Sequence, residues 1–236
     1  MKRVSMLLLL PFVLAFSSGQ SREAIKAEHA KQYSDYHTGV DIGRETRAGN
    51  DVVRSMEIAP PLYAFDPSEN LPKYPDPGIR SIVCDADAII LGLPISAETG
   101  VTEAGDFLFT DYVVSVKSIV KARPPEPLMA GSRIVITRPG GETKLNGHEV
   151  RMTVANFPLL EANQQYLLFL RYLPETNTYR AFRSGTFILT SKGGVAPIDN
   201  SAQKLGAKSS QRQDAFLTEV RAAVSAPCSG VTPTLN

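Results

Sequence analysis

The chain is poor in the residues that most often carry chemistry. Its 236 residues include two Cys, three His and no Trp. None of the His stands in a nucleophile elbow such as G-x-S-x-G, so Ser–His–acid catalysis has no visible seat. Neither Cys84 nor Cys228 carries the flanking signature of a Cys protease. Zinc needs three or four ligands at a recognisable spacing, and the sequence offers no such cluster. Pro139–Gly140–Gly141 lacks the G-x-x-x-x-G-K-[ST] pattern and a following helix, so it reads as a turn and not a phosphate cradle. A charge excess of either sign is missing too. Without Lys2 and Arg3, 23 of the 25 basic residues remain against 24 acidic ones, a net charge of −1. That balance argues against a nucleic-acid partner or an anionic-membrane surface. Beyond the N-terminus no apolar run approaches the ~18 residues of a spanning helix, so stable membrane insertion is not expected.

What is present begins with an export signal. Lys2 and Arg3 precede the apolar run Val4–Phe16, and Ser17–Ser18–Gly19 supplies small residues. This order is that of a signal peptide, 1–19, cleaved near Gly19. An exported protein with an even Cys count is expected to hold a disulfide rather than a catalytic thiol. Periplasmic or extracellular localisation follows.

Residues 20–78 read as an arm. Ser21–Tyr33 is rich in helix formers but has little apolar material besides Ile25 and Ala, which predicts a frayed, solvated helix. His29 and His37 lie eight apart, and solvated histidines are favoured there over a metal pair. From Gly39 to Gly78, six prolines prevent a continuous helix or central strand. Leu62, Tyr63 and Phe65 would dock on the domain or bind a partner, docking being favoured. The arm is expected to be removable.

The compact domain is expected over 79–228, with a tail at 229–236. Its organising stretch is Phe107–Lys121. Leu108, Tyr112, Val114, Val116 and Val120 alternate with Asp111, Ser115, Lys117 and Lys121, the period-two pattern of a half-buried strand. Such a strand would reach about 50 Å against a usual ~17–20 Å, and a strand that long curls. Ser81–Ile95 reads as a first strand, broken by Gly92 and Pro94. Asp85 and Asp87 would share one of its faces, more as solvated residues than as an acid–base pair. Ser96–Asp106 reads as a polar hairpin tip; Glu98, Glu103 and Asp106 lack the ligand spacing of a Ca²⁺ loop. Arg133–Arg138, a weak Glu149–Thr153, Gln165–Leu173, Tyr179–Arg183 and Thr186–Thr190 complete the strands, and His148 reads as a loop residue. Ser210 and Gln213 fit a capping box that opens a helix whose stripe is Phe216, Leu217, Val220 and Val224.

The runs DAIILGLPIS, FTDYVVSVKSIVKA, RIVITRPGGE, YLLFLRYL and RSGTFILTSKGGV together resemble a group of exported bacterial proteins of uncharacterised function, over roughly Cys84–Val224. That group is similar in architecture to OB-like barrels of the netrin and tissue-inhibitor-of-metalloproteinases kind. The resemblance implies an all-β-dominated fold: an OB-like antiparallel barrel with a C-terminal amphipathic helix, preceded by an extended N-terminal arm. Those inhibitors chelate a protease metal with a free N-terminal Cys. Here Cys84 lies far from the expected mature N-terminus, so the inhibitory chemistry does not carry over.

The functional expectation is an exported, non-enzymatic binding or interaction module without cofactor, its partner a protein or glycan of the envelope or medium. The rivals are an enzyme of unrecognised type, and oligosaccharide or single-strand binding by the barrel. A disulfide between Cys84 and Cys228 is expected, because a final helix packing back over the barrel brings the two ends of the domain together.

Overall fold

A computed structural model describes residues 21–34, 36, 38–56, 79–123, 128–155, 157–198 and 211–228. The export signal, His37, the Leu62–Phe65 stretch, Ser210 and the tail lie outside them. The chain opens with α1 (Arg22–Gln32), α2 (Ile42–Arg47) and β1 (Val52–Met56). After α3 (Ile79–Asp85) come β2 (Ala88–Val101), β3 (Leu108–Ala122), β4 (Arg133–Pro139), β5 (Gly141–Leu145) and β6 (His148–Val154). The last elements are β7 (Tyr166–Leu173), β8 (Thr178–Leu189), β9 (Gly194–Pro197), β10 (Gln211–Arg212) and α4 (Gln213–Ser225).

The fold is strand-dominated, and its spine is the expected long strand. β2 and β3 form a hairpin of 14 and 15 residues. The large sheet runs β10-β9-β8-β4-β3-β2-β7, and β7 pairs with β8 as well. The expectation of a closed barrel needs correction. The parallel seam between β4 and β8 holds only two residue pairs, Ile136↔Tyr179 and Thr137↔Arg180. The sheet also continues past β8 into β9 and β10. It is a curled seven-stranded sheet in which β7 returns to pair with β8, and not a closed barrel.

The curl gives the sheet two apolar faces. Inside lie Ala88, Ile90, Tyr112, Val114, Val116, Ile136, Leu168 and Leu170. Outside, Ile89, Leu91, Leu167, Phe169 and Phe187 pack under α3 and α4. That sandwich explains why Tyr166–Leu170 is apolar at every position: both faces are covered. The stripe of α4 points where its spacing predicts, with Phe216, Leu217 and Val220 buried and Val224 packed against the same cluster. Its start differs from expectation. Arg212 is the N-cap and makes no side-chain cap bond, and the chain immediately before it is engaged as β10.

Several expected elements shift. The first strand begins at Ala88, because Ile79, Ile82, Val83 and Ala86 bury one helical face (i, i+3, i+4, i+7) as α3 reaches β2. Asp85 therefore sits on a helix and not on one strand face with Asp87. The tip is shorter than Ser96–Asp106, since β2 runs to Val101. Gly100 of β2 faces Phe109, whose ring would clash with a Cβ there. His148 opens β6 and does not lie in a loop, and Tyr179–Arg183 and Thr186–Thr190 merge into β8.

The described part of the arm docks on the sheet through one side. Tyr33, Tyr36, Ile42 and Val52 join Phe107, Leu108, Phe109, Val150 and Met152 in a third cluster, and β1 pairs in parallel with β6. Ile42 donates its N–H to the Gly105 carbonyl, so the hairpin tip is held against α2.

Candidate functional site

Cross-strand register builds a polar row on the outer face of the large sheet. Glu98 stands opposite Asp111, Asp111 opposite Thr137, Thr137 opposite Arg180 and Arg180 opposite Arg171. Directly opposed residues share a face, so the row crosses five strands, acidic at one end and basic at the other.

α1 lies over the acidic and central part. Ser21 caps it, its hydroxyl accepting from the Ala24 N–H. Arg22, Lys26, His29 and Tyr33 recur at intervals of four, three and four, one helical face. Arg22 and Lys26 pair with Glu98 at 3.0 and 2.8 Å. The Lys26 hydrogen bond and charge, with help from Arg22, hold the Glu98 carboxyl below its ordinary range. The positive N-terminal end of α1 thus meets the acidic end of the row.

The centre is buried. His29 is fully buried, its Nδ1 2.8 Å from Asp111 Oδ1 and its Nε2 2.8 Å from Thr178 Oγ1. Thr176 Oγ1 lies 3.3 Å from the same Nε2 and 2.6 Å from Thr178 Oγ1. An ionised carboxylate only accepts, which assigns a proton to Nδ1. Next to this, the Arg180 guanidinium lies 5.2 Å above the Tyr33 ring. Burial raises the Tyr33 phenol pKa, and Arg180 opposes that shift. The Tyr33 and Thr137 hydroxyls adjoin, but their geometry falls short of a hydrogen bond.

Acid, imidazole and hydroxyl stand in the order of a nucleophilic triad. Yet Thr176 and Thr178 are each 1% exposed and the imidazole 0%. No substrate carbonyl reaches such a hydroxyl while α1 is seated, so in this conformation the constellation fastens α1 to the sheet. The expectation of a solvated His29 is overturned by this bonding.

A buried cation lies at the far end of β3. Lys121 donates to the Val83 and Ala86 carbonyls, with Cys84 O at 3.4 Å. Burial pushes its ammonium down to about 8, while the carbonyls bind the charged form and oppose that fall. Lys121 was expected on the solvent face. The two register shifts of β3, at Lys117 and Val120, cancel, so Lys121 keeps the outer face beside Ile89, and α3 covers that face. Cys84 of α3 is joined to Cys228 beyond α4, with Cα atoms 5.7 Å apart, and Arg80 donates to Pro227 O. The expected disulfide is present.

The remaining expected residues do other work. Asp87 accepts from the Tyr172 N–H at 2.9 Å. Asp106 Oδ2 accepts from the Thr38 N–H, and Glu103 is exposed. His148 Nδ1 lies 3.3 Å from Asp51 Oδ1. Among the described residues no group of three or more His, Cys, Asp or Glu could hold a metal ion, and no helix is long and apolar enough to cross a membrane. Sequence reading missed Asp111, Thr176, Thr178, Arg180 and the fully buried Arg138, which donates to Thr186 Oγ1 and Pro158 O. The four-three-four spacing of α1 was the available signal. No protein-family model matches the chain, and no curated protein does either.

Proposed function

We propose that the chain is an exported, non-enzymatic binding or interaction module on an OB-like framework. The observation that carries this reading is the polar row under α1: the acid–imidazole–hydroxyl set of Asp111, His29 and Thr178 is spent on seating a helix. The pairing circuit β2-β3-β4-β8-β7 supports the OB-like part, since that fold is a five-stranded, partly open Greek-key barrel. The Cys84–Cys228 bond supports an oxidising compartment, periplasmic or extracellular, in line with the signal peptide read at 1–19. Within that compartment the partner is a protein or glycan. Fold analogy does not choose it; the row and its charge gradient give the chemistry to look for.

The test uses the mature chain exported through its own signal. It is immobilised, envelope and medium fractions are passed over it, and each retained species is purified and titrated back by calorimetry. Saturable binding with both molecules chemically unchanged is expected. A retained species that is cleaved or otherwise converted would overturn the reading.

A further inference from the structure

The two ends of α1 are held by different chemistry. At its C-terminal end Tyr33 stacks on Phe109 with ring centres 5.4 Å apart, and Tyr36 packs on Phe107 at 4.9 Å. The N-terminal turns have no such anchor. Ile25 is the one large apolar side chain there, and the contacts to the sheet are Arg22 and Lys26 on Glu98, with the two cations 68% and 38% exposed. An exposed ion pair shifts an equilibrium by about fivefold at most. Between the ends, His29 satisfies the partly buried Asp111 and the buried Thr178.

We propose that α1 is a hinged strap, opening from its N-terminal end about the Tyr33–Tyr36 anchor, and that the strip it uncovers receives a basic helical segment of a protein partner. The strip consists of Glu98, Asp111, Thr176 and Thr178. Its resident occupant defines the fit. Two cations four residues apart answer Glu98, and a donor three residues further on answers Asp111. The helix N-terminus points toward the acidic end. A segment without that donor would cover the Asp111 carboxylate and leave it unpaired, and is rejected. The strap deepens the binding-module reading and rests on it.

The test is a thiol reporter in the full exported chain with its disulfide intact. Thr176→Cys is buried while α1 is seated, so a small thiol reagent reads opening. Strap opening exposes little surface, and labelling should depend on urea far less steeply than global unfolding does. Adding R22E and K26E should speed labelling about tenfold, the combined effect of two exposed pairs. A peptide of residues 21–32, added in trans to that variant, should slow labelling saturably, and its H29A version should not. Hydrogen exchange of the α1 amides, with and without R22E and K26E, repeats the reading without the reporter. Labelling or exchange that follows global unfolding overturns the strap. Opening without protection by the peptide overturns the partner. Protection that grows with protein concentration alone assigns the strip to a second copy and also overturns it. A captured partner in the absence of opening would leave the binding-module reading standing and remove only the strap.

Discussion

Replacing His29 by Ala strips two buried groups at once. Asp111 loses its imidazole donor, and hydrogen bonds to a charged group contribute about 1.5–3 kcal/mol. The Thr178 hydroxyl loses a neutral bond of about 1 kcal/mol. The side chain is fully buried, so truncation also leaves a cavity. The two bonds alone put the expected loss at about 2.5–4 kcal/mol, to which the cavity adds, a large part of the roughly 5–15 kcal/mol that holds a typical domain together. Urea unfolding followed by circular dichroism measures it. The comparison set is the parent, His29→Ala, Asp111→Ala and the double variant. If the imidazole and carboxylate act as one unit, the cycle should return a coupling of about 1.5–3 kcal/mol, since contacting residues in one network are not additive. A coupling below about 0.5 kcal/mol would refute the reasoning and leave α1 held by its aromatic end alone.

Other expectations concern the rest of the frame. A chain truncated to begin at Gly78 exposes Phe107 and Phe109, and should aggregate or lose cooperative unfolding; a soluble, cooperative product would show that the third cluster is dispensable. Cys84→Ser with Cys228→Ser opens a loop of 144 residues' separation and should cost up to about 5 kcal/mol in the chain-entropy model. Alkylation of the exported native protein without reductant should add no mass, whereas two adducts would mean free thiols. Gly100→Ala drives a Cβ into the Phe109 ring and should cost about 1–3 kcal/mol in urea unfolding, with no change in the slope. The folded pKa of Lys121, about 8, lies below its unfolded value of 10.5, so the unfolded chain binds more protons between them. The stability of the parent relative to Lys121→Met should therefore rise as pH climbs from about 8 to 10.5, by no more than about 3 kcal/mol. A flat difference would mean that the carbonyls fully offset burial.

Legibility in the sequence followed the simplicity of each environment. β3 was readable from Leu108 to Val116 because one face meets a uniform apolar interior. Period two failed at Val120, which a bulge that no local pattern announces turns to the outer face, while Lys121 kept its expected face and is buried there by α3. α3 was hidden for a related reason. Ile79, Ile82, Val83 and Ala86 have helical spacing, but they precede the continuous apolar run of β2, and the two merged into one supposed strand. β7 offered no periodicity because both its faces are covered. α1 was misread for the opposite cause. Its sheet-facing side is Lys26, His29 and Tyr33, and a scan for apolar stripes sees such a helix as solvated. Asp111 looked like one more outward polar residue. Only its opposition to Thr137, and through it to Arg180, makes a site, and that opposition is a property of register across the sheet.

The claim on which the account rests is that α1 is fastened to the sheet through His29. Nitrogen-labelled histidine gives the most direct view, because the chain has only three histidines and His29→Gln assigns the signal. With Nδ1–H donated to Asp111 in a buried site, the imidazole should show a slowly exchanging, downfield Nδ1 proton that disappears in Asp111→Ala. A His29 ring whose protons all exchange rapidly with water, indifferent to Asp111, would contradict the account.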